Sequence, residues 1–284
     1  METKEIAMQK RTTMMGTACV LAAAALTAGP AAANSLTDFS GVLTVGGQID
    51  KNDAPGSKDD KSWLLGGSVA APLSTVMGLN FEVDGSFQQE RARIFPKKVR
   101  DDWNFGGSAF WANDDGRIGI NLAYTSYEHL GNLDNGGAFA EWYFGALTVM
   151  GKGGFLQSDG SSFGGHGNYL GIGVTGYVMP NLGITGGVNW GDIVTGQGCQ
   201  TCGRNDLEGT AFSVLAEWLF DEDVGISGYV GYTYQDNSVI RVSNHDNVWR
   251  IGVHFYTGGG ALIDRQRNGN LNPWLPGVGA NLSF

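Results

Sequence analysis

The sequence predicts an all-β fold: a transmembrane, antiparallel up-and-down β-barrel of about twelve strands, preceded by a cleaved signal peptide. Three observations predict it. Segment after segment alternates apolar and polar residues. No stretch beyond the leader reaches the roughly 18 to 20 apolar residues a membrane helix needs. Tryptophans collect at both ends of the alternating segments. The composition agrees, with 46 Gly but only 7 Pro in 284 residues. That Gly is spread through runs of Val, Ile, Leu, Phe, Tyr and Trp, which are strand formers, and at such density it would weaken helices.

The first element is the leader, residues 1–33. Lys10 and Arg11 form a positive flank, Thr17 to Ala28 is apolar, and Ala31-Ala32-Ala33 supplies small residues for cleavage. Met8 is an alternative start, because Met1 to Ala7 is acidic for such a peptide. Losing Lys4, Lys10, Arg11, Glu2 and Glu5 leaves 15 basic and 26 acidic residues, a net charge near −11. That balance argues against nucleic acid as a partner and against a polybasic membrane-surface device.

The barrel is expected within residues 34–257. Its strands are Phe39–Ile49, Ser62–Leu73, Val76–Glu90, Asp102–Asn113, Arg117–Glu128, Gly137–Phe144, Leu147–Gln157, Asn168–Met179, Leu182–Ile193, Glu208–Phe220, Val224–Gln235 and Asn247–Tyr256. Leu79-Asn80-Phe81-Glu82-Val83-Asp84 and Arg117-Ile118-Gly119-Ile120-Asn121-Leu122 show the pattern well. Neighbouring side chains on a strand point to opposite faces. Each segment therefore carries one apolar face and one of Gly, Ser, Thr, Asn and an occasional charge. A soluble sandwich would normally show water a face rich in Lys and Glu. Small uncharged residues suit a crowded interior instead.

The connections alternate in length. Short ones fall at Ser74-Thr75, Asp114 to Gly116, Gly145-Ala146, Pro180-Asn181 and Asp221 to Asp223. Long polar ones fall at Asp50 to Lys61, Arg91 to Asp101, His129 to Gly136, Ser158 to Gly167, Thr195 to Leu207 and Asp236 to Asp246. Such asymmetry is expected of a membrane barrel. Trp63, Trp103, Trp190 and Trp249 fall at the long-loop ends, and Trp111, Trp142 and Trp218 near the short turns. Two interfacial aromatic belts follow. The tail, residues 258–284, reads as a segment outside the wall or plugging it, with Asp264 to Asn270 as a turn. A fourteen-strand count is the rival, with Ala261 to Arg265 and Gly277 to Phe284 as the extra pair.

Charges on the polar face must point inward, since lipid is costly for them. They are Glu82, Asp84, Glu141, Lys152, Glu217, Arg250 and His254. They read either as an ion-selective lining or as internal ion pairs, for example Glu141 with Lys152. Cys199 and Cys202 share the Thr195–Leu207 loop as Cys-Gln-Thr-Cys. Zinc would need two more ligands, and a redox pair would need a thioredoxin-like setting. A loop-tip disulfide suits an exported chain. Asp50, Asn52, Asp53, Asp59 and Asp60 crowd one loop, as a solvated acidic segment or as oxygen ligands for a divalent cation. No metal is assigned. A hydrolase is the remaining chemistry, with His245-Asp246 at a loop–strand junction, although no nucleophile motif accompanies it.

The mature chain resembles the porin-like β-barrels of Gram-negative outer membranes. The signal peptide, the alternating strands, the aromatic strand ends and the terminal Phe284 carry the resemblance, with Pro276 and Gly277 interrupting the final alternating run. It implies an integral outer-membrane location and a channel for passive diffusion of small hydrophilic solutes or ions, without cofactor or catalysis. It implies as partners the membrane lipid, lipopolysaccharide and the barrel-assembly machinery. Neither the solute nor the oligomeric state is named by any motif. A non-conducting structural or adhesive barrel is the alternative.

Overall fold

Alternation makes a sheet with two unlike faces, and closing that sheet gives each face its own solvent. In the computed structural model the described residues are 39–52, 60–74, 77–89, 99–127, 131–158, 165–195, 205–239 and 242–267. They form twelve strands: β1 (Ser40–Asn52), β2 (Asp60–Pro72), β3 (Met77–Gln89), β4 (Val99–Asn113), β5 (Gly116–Tyr127), β6 (Gly131–Phe144), β7 (Leu147–Ser158), β8 (Gly165–Met179), β9 (Leu182–Thr195), β10 (Asn205–Asp221), β11 (Ile226–Val239) and β12 (Val242–Tyr256). Each pairs antiparallel with its neighbour, and β12 returns to β1 with Val45 opposite Val253. No edge is left unpaired, as closure requires. The helix α1 (Leu262–Arg267) follows β12.

The count of twelve agrees with the alternation, and the fourteen-strand rival is corrected. The ring closes through β1 and β12, and most of Ala261 to Arg265 is helical. Asp264 likewise belongs to α1 rather than to a turn. Strand ends at the short turns lie close to their expected places. Most ends at the long-loop side run further than expected: β11 and β12 pair as far as Val239 opposite Val242, inside what reads as a polar loop. Beyond the bilayer the backbone ladder continues in water, where neither face has to be apolar.

Local chemistry sets the short turns. The Asn113 side-chain oxygen accepts from the amides of Asp115 and Gly116, and the Asp221 carboxylate accepts from those of Asp223 and Val224. These are side-chain-capped turns. Gly145 and Gly225 take φ of 55° and 72°, a region that other residues disfavour.

The two faces separate as the period-two pattern demands. Ile118, Ile120 and Leu122 of β5 are exposed on the outer face, as are Leu170, Ile172 and Val174 of β8. Trp111, Trp142 and Trp218 lie exposed near the short turns and Trp63, Trp190 and Trp249 near the other end, whereas Trp103 is buried. The inner face is less uniformly polar than the sequence suggests. Met150, Leu156, Leu215, Leu219, Phe110 and Phe139 are buried at positions in register with the inner face. A barrel of modest strand number holds side chains close enough to pack across its interior. Inner tyrosines also lie along the wall over glycines. A Cβ on Gly46 or Gly252 would collide with the Tyr229 hydroxyl, and one on Gly137 would meet that of Tyr169. The glycines make room for rings that brace adjacent strands.

Candidate functional site

The chemistry-bearing side chains gather inside the cylinder, in two zones. The first lies near the short-turn end. Glu217 of β10 is only 1 % exposed. Its Oε1 accepts from the Ser227 hydroxyl and, at 2.8 Å, from the Tyr256 hydroxyl, and it lies 2.8 Å from His254 Nδ1. Its Oε2 accepts from Gln266 Nε2 of α1 at 3.0 Å. The His254 ring stacks on Tyr229, centroid to centroid 4.4 Å. A buried carboxylate survives only where donors surround it in this way.

A second buried pair stands on another arc of the wall. Arg117 of β5 donates to Glu141 of β6 at 2.8 Å, both almost fully enclosed. The two residues face each other directly in the β5–β6 register, the cross-strand arrangement that favours opposite charges. The Tyr143 hydroxyl approaches the other Glu141 oxygen at 3.5 Å, and the Arg267 guanidinium lies 4.7 Å over the Tyr143 ring. The partner of Glu141 in this pair is thus Arg117, a residue the sequence reading did not single out.

The second zone runs towards the long-loop end. Lys152 of β7, Gly171 of β8 and Asn189 of β9 share one register line. The Lys152 stem lies over Gly171 beside the Asn189 side-chain oxygen. Arg250 donates to Gln48 at 2.8 Å across the β12–β1 seam, with Asp50 near enough to act on its charge. Thr125 donates to Asn104 at 3.0 Å, and Asn121 donates to the Tyr169 hydroxyl at 3.3 Å. Glu82 sits opposite Ser68 and Gly106, and Asp84 opposite Gly66 and Asn104. The side chains of Glu82 and Asp84 lie outside the described residues, as do Cys199, Cys202, Asp53, Asp59 and the leader.

His245 and Asp246 do not form a catalytic pair. As neighbours on β12 they point to opposite faces. His245 lies on the outer face, 3.3 Å from Asp236 and 3.1 Å from the Tyr234 hydroxyl, while Asp246 is buried on the inner one. A two-residue period cannot bring adjacent side chains to one substrate.

Among the described residues, an apolar outer face, an unbroken backbone ladder and an inner face that carries the charges leave one architecture. The chain folds as an outer-membrane β-barrel. No family model matches it, and no curated protein does. Solved structures match in fold. The COG4313 outer membrane channel from Pseudomonas putida F1 aligns with a TM-score of 0.56 at 12 % identity, covering 81 % of this chain and 98 % of that one. The NanC porin aligns with a TM-score of 0.52 at 13 % identity, covering 75 % and 98 %. The KdgM porin aligns with a TM-score of 0.46 at 13 % identity, over the same shares of the two chains.

In this barrel the short turns, with the start of β1 and the end of β12, mark the periplasmic side. The sequence reading missed Arg117, Gln48, Tyr143, Gln266 and Arg267. Arg117 carried a usable signal: it occupies the polar phase of its strand, beside outward Ile118. Gln266 and Arg267 carried none, because their place depends on where the tail goes.

Proposed function

We propose that the barrel is a channel for passive diffusion of small hydrophilic solutes or ions across the outer membrane, using no cofactor and doing no chemistry. One observation carries this reading: a closed wall, greasy outside, whose interior holds hydrogen-bonding and charged side chains beside its apolar ones. A purely structural barrel gains nothing from Lys152, Arg250, Asn189, Asn121 and Tyr169 inside, since apolar residues would fill that space without desolvating a charge. Channel neighbours among the solved structures, the COG4313 channel and the NanC porin, agree with it.

Selectivity in this reading comes from the field of Glu82, Asp84, Lys152 and Arg250. Glu141, Glu217 and His254 act further down, bound into the periplasmic-side networks. With acidic residues at two positions of β3, a modest preference for cations is expected. Lipid and lipopolysaccharide surround the apolar belt, the barrel-assembly machinery inserts the chain, and Cys199 and Cys202 close a loop disulfide. The test is current through planar bilayers holding the purified, folded chain. Discrete steps are expected, with a reversal potential displaced towards the cation under a salt gradient. A folded barrel that passes no current would leave the non-conducting, loop-presenting scaffold as the function.

A further inference from the structure

The chain does not leave the barrel where the wall ends. Beyond Tyr256, Thr257 still donates its amide to Gly41 of β1 at 2.8 Å. Gly258-Gly259-Gly260 follow, Gly258 and Gly260 with φ of 93° and 95°, and turn the chain inward. Helix α1 then runs under the lumen. Its Leu262 is 0 % exposed, Arg265 3 % and Gln266 5 %.

The anchors of this segment are spread around the rim. Near its start, Leu262 and Ile263 donate their amides to the β8–β9 turn, to Asn181 Oδ1 at 3.4 Å and the Pro180 carbonyl at 3.2 Å. Arg265 donates to the Glu222 carbonyl in the β10–β11 turn. Gln266 is held from both sides, accepting from the Tyr177 hydroxyl at 2.7 Å and donating to Glu217. Arg267 donates to the carbonyls of Gly145 and Leu147, both at 2.8 Å, and to Thr148 Oγ1 at 3.1 Å. In the ring order, β1 and β7 stand six strands apart, on opposite sides of a twelve-strand cylinder. A segment that begins against β1 and ends against the β6–β7 turn spans half of the rim, over the turns that join β6 to β11.

We propose that residues 257–267 form a tethered plug that obstructs the periplasmic mouth when docked, so that solute passage rises with its release. This rests on the channel reading above. The wall itself cannot open, because every strand is paired on both sides. The plug is joined to the wall through three consecutive glycines, the least restricted link a chain can have. Six residues do not hold a helix in water, so α1 forms on the surface that receives it and is lost on leaving. Its grip is mostly polar. Gln266 bridges Tyr177 and Glu217, Arg265 and Arg267 clasp turn carbonyls, and Leu262 supplies the apolar contact with Val42, Tyr177, Leu219 and Tyr256.

Two full-length variants test it in planar bilayers beside the native chain, each first shown to be a folded barrel by heat-modifiable gel mobility. The double substitution Leu262→Asp, Gln266→Ala removes the apolar seat and the bridge. Arg267→Ala removes the far anchor, its bonds to Gly145, Leu147 and Thr148 and its place over the Tyr143 ring, and leaves the hydrogen bonds of Glu217 in place. The expected result is a several-fold rise in open probability for Arg267→Ala and a larger rise, with greater unitary conductance, for the double variant. Folded variants that conduct as the native chain does would overturn the plug while leaving the channel standing. Silence from the native chain and both variants would overturn the channel reading, and the gate with it.

Discussion

Glu217 shows how much one buried side chain can organise. It accepts hydrogen bonds from Ser227 and Tyr256 on the wall and Gln266 on the tail, with His254 in contact. Glu217→Ala is expected to cost about 3 to 5 kcal/mol, the usual penalty for breaking a buried charged network, read as lowered resistance to urea in detergent. Glu217→Gln keeps the shape and should cost less; equal resistance of the Ala variant and the native barrel would refute the network's importance. Arg117→Ala strands the Glu141 carboxylate and carries a similar expectation, with Glu141→Ala on top restoring part of the loss. The half-exposed pair of His245 and Asp236 is different in kind. Removing it by His245→Ala should change stability by no more than about 1 kcal/mol, as for other exposed ion pairs. The inward charges Glu141, Lys152, Glu217, Arg250 and His254 were legible residue by residue, because the polar phase of a strand can be read from its neighbours. Their partners were not, since Arg117 and Gln48 meet Glu141 and Arg250 only through cross-strand register.

At the scale of the element, a strand here is two surfaces one residue apart. Ile120 and Asn121 are neighbours in β5, one facing lipid and the other the Tyr169 hydroxyl. Ile120→Arg should therefore destabilise the barrel by about 2 to 4 kcal/mol if it lies near the bilayer midplane. Asn121→Ser should cost about 1 kcal/mol, the worth of one hydrogen bond. Folding titrations into lipid vesicles compare the two, and equal effects would reject the assignment of faces. Strand ends divide along the same logic. At the short turns, Asn113, Asp221 and the left-handed glycines Gly145 and Gly225 announce the reversal in the sequence itself. At the other end pairing runs on past the bilayer, as where Val239 meets Val242, and polar composition alone does not reveal that a ladder continues.

For the whole molecule, closure decides the solvent of each face and α1 decides the periplasmic mouth. The folded chain is expected to need detergent or lipid, because Leu122, Ile172, Val230 and Ile251 form an outward belt that the described residues leave exposed. A monodisperse folded species in plain buffer would contradict that. Unheated samples should also migrate faster on gels than boiled ones, as a closed cylinder resists unfolding by detergent.

The order of the side chains by itself determined that this protein is a membrane-spanning barrel and favoured twelve strands, while ring closure through β1 and β12 excluded fourteen. Period-two alternation is a local property, and lipid on one side makes it strict. Three things were left to the tertiary structure: which buried charges meet, how far apolar residues fill the interior, and where the tail goes. Each joins residues remote in sequence, such as Gln266 with Glu217 and Tyr177, or Arg267 with Gly145. Contacts of that kind arise from curvature and stagger around the ring, quantities that no single strand encodes.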